Sequence, residues 1–509
     1  MRIANSIKNT KYAVISQIIT VILKFICQSV FIKYLGIEYL GVNGLFSNIL
    51  TILGLAELGI GTAIIYNLYK PLAFDNKNQI QEYMNFYKKV YNFIGIFILI
   101  TGFALVPFLK YFIKGESNIE NIHLLYILYL GNTIFTYFFA YKRSLIIADQ
   151  KSYLNTLNYL ITSIFQVVLQ IIFLITTKSF VIYLIIQLVC TFISNVFISL
   201  KANKMYPYLK HNKKRLNKSE QKKLWKDIYA VMSQRVGYVL INGTDNLIIS
   251  TFIGVQMVGM YSNYILVISA IKNTIGQIFN AISASIGNLN ALESKDKSYL
   301  IYNVLLFSSF WIVGFVSIAY FILINPFITL WIGKEYLLNN YIVLLIVANY
   351  FFSDTTGIRI ITNNYKDSLG LFWYERYKAY IQAGINILCS VILVNKIGFI
   401  GVLLGTFIST IATCFWFEPY VLFKYGFHKP LRLYFFKFLK YFFCICSVGV
   451  ITYMICFFST LFIKNIWIIF ILKILIAFIV PNFLLVCIFY NSYEFKYLFN
   501  IFKSYFKKI

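Results

Sequence analysis

Apolar runs of about 20 residues or more recur along the whole chain, separated by short polar connections rich in lysine. That is the length a helix needs to cross the hydrocarbon core of a bilayer. The pattern predicts about 14 membrane-spanning helices, near residues 12–33, 41–68, 90–112, 122–141, 154–176, 179–200, 228–251, 257–285, 299–324, 341–363, 372–394, 398–420, 441–462 and 466–490. Spans of that length use roughly 280 of the 509 residues. Short connections and tails make up the rest. A sizeable soluble domain is thereby excluded, and with it a fused nucleotide-sugar enzyme or ATPase. Arg2, Lys8 and Lys11 precede the first run, as in a signal peptide. The run is longer than a signal core and no small-residue cleavage site follows it, so it is expected as a retained helix.

The pattern also repeats. Tyr12-Ala13-Val14-Ile15-Ser16-Gln17 returns 217 positions later as Tyr229-Ala230-Val231-Met232-Ser233-Gln234. Leu35-Gly36-Ile37 and Gly44-Leu45-Phe46-Ser47-Asn48 find partners in Ile253-Gly254-Val255 and Gly259-Met260-Tyr261-Ser262-Asn263. The matches keep their order and begin at the first and seventh spans. Six spans separate the copies, so both start on the same side of the membrane, as in a parallel repeat. The expected organisation is a six-helix lobe over 1–200, a basic linker over 201–227, a second six-helix lobe over 228–420, and an extra helix pair with a basic tail over 421–509. The fold class is all-α and polytopic, with two pseudo-symmetric lobes.

Composition agrees. The chain is 60% hydrophobic and 13% charged, against about 45–50% and about 25% in soluble domains. A formal charge of +28 would point to nucleic acid in a soluble protein. In a polytopic one it follows from cytoplasmic loops collecting Lys and Arg, and no nucleic-acid partner is expected. With the N-terminus inside, about 32 of the 46 Lys and Arg fall on cytoplasmic segments and about seven outside. Both termini are then cytoplasmic. The linker carries ten of these cations, among them Lys210, Lys213, Lys214 and Arg215. It is expected as a solvated loop beside anionic headgroups, with a docking surface for a partner enzyme as the sharper option. The eight cysteines lie inside apolar runs and read as small buried residues. His123, His211 and His428 are scattered, and no metal or nucleophile–base spacing appears.

Ionisable groups inside the membrane are costly and face a bundle interior or a wet cavity. In the first span Gln17, Thr20, Lys24 and Gln28 lie within about 80° of one another on a helix. In the seventh, Arg235, Asn242, Asp245 and Asn246 fall within roughly 100°, and the repeat equates Gln28 with Asp245. The eighth carries Ser269, Lys272, Asn273, Gly276, Asn280 and Ser283; the second Asn43, Asn48 and Glu57; the tenth Asp354 and Arg359. Three of the seven arginines, Arg235, Arg359 and Arg376, lie within spans. Two readings stand. Asp245 neutralises Arg235 and Glu57 neutralises Lys24, or the cations line a cavity for an anionic substrate, where ammonium and guanidinium groups suit phosphate oxygens. The second is carried forward, with Lys24, Arg235, Lys272 and Arg359 as substrate-binding candidates.

Leu35-Gly36-Ile37-Glu38-Tyr39-Leu40-Gly41, then Gly44 to Asn48, then Leu55-Ala56-Glu57-Leu58-Gly59-Ile60-Gly61 resembles the opening of bacterial oligosaccharide-repeat flippases of the multidrug/oligosaccharidyl-lipid/polysaccharide exporter superfamily. Pro326-Phe327-Ile328-Thr329-Leu330-Trp331-Ile332-Gly333-Lys334-Glu335-Tyr336 is similar to that family's loop after the ninth span. Asn386, Ser390 and Gly398-x-x-Gly401-x-x-x-Gly405-Thr406 resemble its eleventh and twelfth. The resemblance covers most of residues 1–420. It implies two lobes around a central cavity that opens alternately inward and outward. The implied substrate is a short oligosaccharide on a polyprenyl diphosphate, usually undecaprenyl, turned across the bacterial cytoplasmic membrane for capsule, O-antigen or exopolysaccharide synthesis. Membrane lipids, and glycosyltransferases and a polymerase of the same pathway, are the implied partners. Related lipid II flippases line their cavity with cations from helices 1, 2 and 8. Lys24 and Lys272 fit, whereas helix 2 carries Glu57, which disfavours lipid II itself. No cofactor is expected; Glu57 and Asp245 are candidates for a coupling H⁺ or Na⁺. The rivals are a cation-coupled multidrug antiporter, disfavoured by the basic interior, a membrane glycan polymerase, disfavoured by short external loops, and a scaffold, disfavoured by the intramembrane charges.

Overall fold

The computed structural model describes residues 2–57, 60–113, 119, 121–209 and 216–506. Secondary structure among them is helical, without a strand. The helices are α1 (Arg2–Leu35), α2 (Ile37–Leu53), α3 (Ile60–Ala73), α4 (Lys77–Leu105), α5 (Ile122–Ala148), α6 (Ser152–Thr177), α7 (Phe180–Met205), α8 (Lys218–Phe252), α9 (Val255–Leu292), α10 (Lys295–Trp331), α11 (Asn340–Phe351), α12 (Ile360–Ser368), α13 (Lys378–Ile397), α14 (Phe399–Ala412), α15 (Cys414–Val421), α16 (Arg432–Thr460), α17 (Ile466–Phe489) and α18 (Tyr493–Phe506). The protein is a multi-pass membrane protein. Side chains such as Phe93, Phe165, Phe458 and Phe478 stand exposed on its helices, as lipid-facing positions do.

Among the described residues nine helical segments are long and apolar enough to cross a membrane, or ten with the bent pair Ile122–Phe138 and Tyr141–Ala148 taken as one. Four predicted spans account for the difference from 14. Those near 228–251 and 257–285 lie on α8 and α9, which at 35 and 38 residues are long enough but carry the polar residues. The other two, near 41–68 and 341–363, are predicted as continuous and are instead interrupted. The first is broken by a 3₁₀ turn, Gly54–Glu57, between α2 and α3. The second unwinds between Phe351 and Ile360.

The unwound stretch Ser353-Asp354-Thr355-Thr356-Gly357 has local causes. Ser, Thr and Asp side chains offer the backbone competing hydrogen bonds, and the Thr355 amide donates to Ser353 Oγ. A Cβ at Gly357 would fall within 2.6 Å of the Phe351 and Ser353 backbone, so only glycine closes this turn. Irregular backbone inside a membrane protein needs internal partners. Here the Ile358 amide donates to Phe351 O at 2.9 Å, Arg359 Nη1 to Phe352 O at 3.0 Å, and Asn363 Nδ2 to Asp354 O at 3.4 Å.

The chain forms two compact units, Met1–Ser262 and Asn263–Ile509. In the first, fully buried Phe46, Tyr87, Tyr91 and Tyr126 form the core, with Phe46 edge-on to Tyr126 at 5.3 Å. Residues 210–215 of the basic linker lie outside the described residues. The stretch just before them is pinned by Tyr206, whose hydroxyl donates to Asp149 at 2.7 Å. In the second unit α13 and α14 pack most closely at Gly401 and Gly405. A Cβ on Gly401 would collide with the Leu393 and Val394 backbone, and one on Gly405 with Ser390. Small residues four apart let two membrane helices approach in this way. Asn386 then reaches Thr406 Oγ1 at 2.9 Å, and Ser390 Oγ reaches Val402 O. The last helix pair packs on α10, where Trp311 donates to Asn482 on α17 at 2.9 Å.

Candidate functional site

In the first unit α1 holds Lys24 on an exposed face, between Gln17, Thr20 and Gln28, which are half-buried. Lys24 makes no hydrogen bond or ion pair with any described residue. The pairing of Lys24 with Glu57 is therefore not formed. Glu57 ends the 3₁₀ turn that interrupts the second span. Its carboxylate accepts from Tyr91 at 3.4 Å and lies beside Tyr137. Asn43, nearly two turns into α2, accepts from Tyr129. On α8 Asp245 is half-buried and within electrostatic reach of Tyr261. Asn246 Oδ1 beside it is buried without a partner. Arg235 lies on α8, but its side chain is outside the described part, as is that of Asn242. The Arg235–Asp245 pairing falls outside it too.

In the second unit Lys272 projects from α9 toward the unwound stretch. Its ammonium lies 6.0 Å from the Tyr350 ring centre, a cation–π distance, and within electrostatic reach of Asp354. One turn along α9, Gly276 faces Thr356. Thr356 Oγ1 is buried and has no partner. Asp354 is also within reach of Arg359. The interruption thus brings Lys272, Asp354 and Arg359 into one neighbourhood of α9, α11 and α12.

Arg359 is placed differently from Lys272. Its Nε donates to Glu418 Oε2 at 2.8 Å and its Nη2 to Oε1 at 2.6 Å, a two-pronged pair. Nη1 goes to the Phe352 carbonyl. The guanidinium is 3% exposed and Glu418 is fully buried. Lys378 of α13 also donates to Glu418, at 2.5 Å, and to Glu375 at 2.9 Å. Lys366 of α12 completes the chain by pairing with Glu375. Arg359, Glu418, Lys378, Glu375 and Lys366 form one buried ionic network tying α12, α13 and α15 together. Arg376, the remaining intramembrane arginine of the sequence reading, is exposed over the Tyr377 ring.

Sequence patterning passes over Glu418 because it sits two residues from the predicted end of its span, where a charge signals only an interface. The usable signal was its isolation in an apolar run, the same criterion that singles out Glu57. Among the described residues no group of three or more His, Cys, Asp or Glu could hold a metal ion.

A family model described as "Polysaccharide biosynthesis protein" matches residues 6–283. No curated protein matches the sequence. Among solved structures the chain is similar to the lipid II flippase MurJ in an inward closed conformation, with a TM-score of 0.70 and 18% identity over 95% of this chain and 99% of that one. It is similar to an inward-facing multidrug-resistance MATE family transporter of the MOP superfamily, with a TM-score of 0.58 and 14% identity over 78% of this chain and 94% of that one. A Vibrio cholerae MATE transporter gives a TM-score of 0.55 and 13% identity over 84% of this chain and 98% of that one. At these identities the likeness is one of fold.

Proposed function

The chain belongs to the family of polysaccharide biosynthesis proteins, and from that premise we propose that it is a flippase for a lipid-linked oligosaccharide. The substrate is a short glycan on a polyprenyl diphosphate, usually undecaprenyl, moved across the bacterial cytoplasmic membrane by alternating access. One observation carries the reading: no described carboxylate is hydrogen-bonded to Lys24 on α1 or to Lys272 on α9, both within the predicted spans. A charge taken from water into a low-dielectric path without partners costs several kcal/mol. A diphosphate carries about two negative charges, and fixed ammonium groups offset that cost. Asp354 near Lys272 tempers the attraction, so that the diphosphate is held and then released. Arg235 joins these cations. Arg359 serves the site by capping the interruption that presents Asp354 and Thr356. Glu57 and Asp245 bind the coupling H⁺ or Na⁺. Glycosyltransferases supply the substrate and a polymerase consumes it.

The test is flipping in vesicles, read as accessibility of the glycan to a reagent that does not cross the membrane. Lys24→Glu and Lys272→Glu are expected to slow it at least ten-fold, about 1.4 kcal/mol in the barrier, with normal insertion. Full activity of both Lys24→Ala and Lys272→Ala would overturn the mechanism. Drug efflux without glycan flipping would give the function to the antiporter class.

A further inference from the structure

The fourth and tenth spans bend at equivalent places. The bend between Phe138 and Tyr141 in α5 lies 217 positions before the unwound stretch that separates α11 from α12. Just beyond each bend stands a cation, Lys142 in the first unit and Arg359 in the second, again 217 apart. Their surroundings differ in charge. Arg359 is neutralised by Glu418. In the first unit the acceptor for the corresponding cation is the neutral Ser199 of α7.

Among the described residues the first-unit cations therefore have neutral hydrogen-bond partners only. Lys142 Nζ donates to Ser199 Oγ at 2.7 Å, and Arg143 Nη2 to Asn195 Oδ1 at 2.7 Å. Ser199 and Asn195 are one turn apart on α7 and are 6% and 3% exposed, so both cationic heads end on one buried polar face. The bend builds that face, because Asn195 Nδ2 donates to the Phe135 carbonyl on α5 at 3.2 Å. A guanidinium has five N–H donors and an ammonium three. Arg143 and Lys142 each donate one to the described protein. Lys88 of α4 adds a third positive charge nearby. Two cations turned inward onto a buried face, without a counter-charge, are costly, and the second unit shows how this fold neutralises the equivalent position when it does.

We propose that Lys142 and Arg143, presented by the bend of α5 against Asn195 and Ser199 of α7, form a binding site for a phosphate-bearing anion. The missing counter-charge is supplied by the ligand. The planar guanidinium fork takes two phosphoryl oxygens at once and the lysine acts as a point charge. This site goes beyond the flippase reading, since its ligand is either the diphosphate of a polyprenyl-linked substrate or the headgroup phosphate of a membrane lipid.

The experiment uses the full-length protein in detergent, with inorganic pyrophosphate as the probe and thermal unfolding and calorimetry as the readouts. The unaltered protein is expected to bind pyrophosphate and to unfold at a higher temperature in its presence. Lys142→Gln and Arg143→Gln each weaken binding at least ten-fold, and Arg143→Lys recovers part of it. Asn195→Asp installs a carboxylate as the partner of Arg143. It is expected to abolish binding while holding or raising the unfolding temperature without ligand, which a merely structural role for Arg143 does not predict. Absence of pyrophosphate binding, or equal binding by all these variants, would overturn the site. Competition in nanodiscs then assigns the source. Displacement of pyrophosphate by polyprenyl diphosphate but not by phosphatidylglycerol identifies the substrate diphosphate, and the reverse identifies a lipid headgroup. Displacement by neither identifies a free phosphate compound. A variant that loses pyrophosphate binding yet flips glycan normally separates this site from the flippase reading.

Discussion

Glu418 is the residue on which the second unit's charge balance turns. It is fully buried and takes both prongs of Arg359 and one donor from Lys378. Removing one partner of a buried pair strands the other, at a cost of about 3–5 kcal/mol. Glu418→Gln and Arg359→Met are each expected to lower the unfolding temperature in detergent sharply. The double variant is expected to lose less than the two losses added, because it removes a buried charge of each sign. Strict additivity would show that the pair contributes nothing to stability. Lys24 and Lys272 behave oppositely at this scale. With no carboxylate hydrogen-bonded to either, Lys24→Ala and Lys272→Ala are expected to cost far less stability than Glu418→Gln and to act chiefly on transport. The distinction between a cation held for structure and one left open for a ligand thus rests on its partners, not on its depth in the membrane.

At the scale of elements, the interruptions in the second and tenth spans and the bend in the fourth do what continuous helices cannot. They bring backbone and polar side chains to charges on neighbouring helices, and those neighbours satisfy the groups so exposed. The C-terminal helix α18 is a separate case, outside the membrane-spanning segments. Its Phe495 stacks on Trp311 at 5.9 Å, and its Glu494 accepts from Lys437 at 2.8 Å. Burial by itself raises the Glu494 carboxyl. The Lys437 hydrogen bond and the Lys437 and Lys440 charges outweigh it and hold the group below its ordinary value; Tyr441 also faces it. A depressed carboxylate contributes stability that is full above the unfolded value, about 4.3, and is lost as pH falls through the folded one. Docking of α18 is expected to hold from neutral pH to about 4.3 and to loosen below it. Trp311 fluorescence in a protein keeping only that tryptophan would report the change, and Glu494→Gln should flatten it. A pH-independent signal in the parent would refute the account.

For the whole molecule, the charge bias predicts sidedness: a cytoplasm-active reporter near Lys213 should report and one near Glu116 should not, and the opposite result would invert the orientation. The class of the molecule was legible in its pattern. Apolar runs of membrane-spanning length and an internal repeat at an offset near 217 point to a helical multi-pass membrane protein, because segment length, periodicity and local sequence are properties of contiguous residues. The polar stripes were legible for the same reason, since 100° per residue says which side chains share a face. Tertiary structure alone decided what meets those faces. That Arg359 has an acid and Lys24 has none depends on residues 59 positions away in one case and on the packing of separate helices in the other. The interruption of the tenth span was half visible in Ser353 to Gly357, but only neighbours that satisfy its freed backbone groups make it tolerable in a membrane. The same holds for Lys142 and Arg143. In sequence they mark the inner end of a span; only the face of α7 against which they lie shows two cations without a counter-charge, because partnership is a property of space and not of spacing.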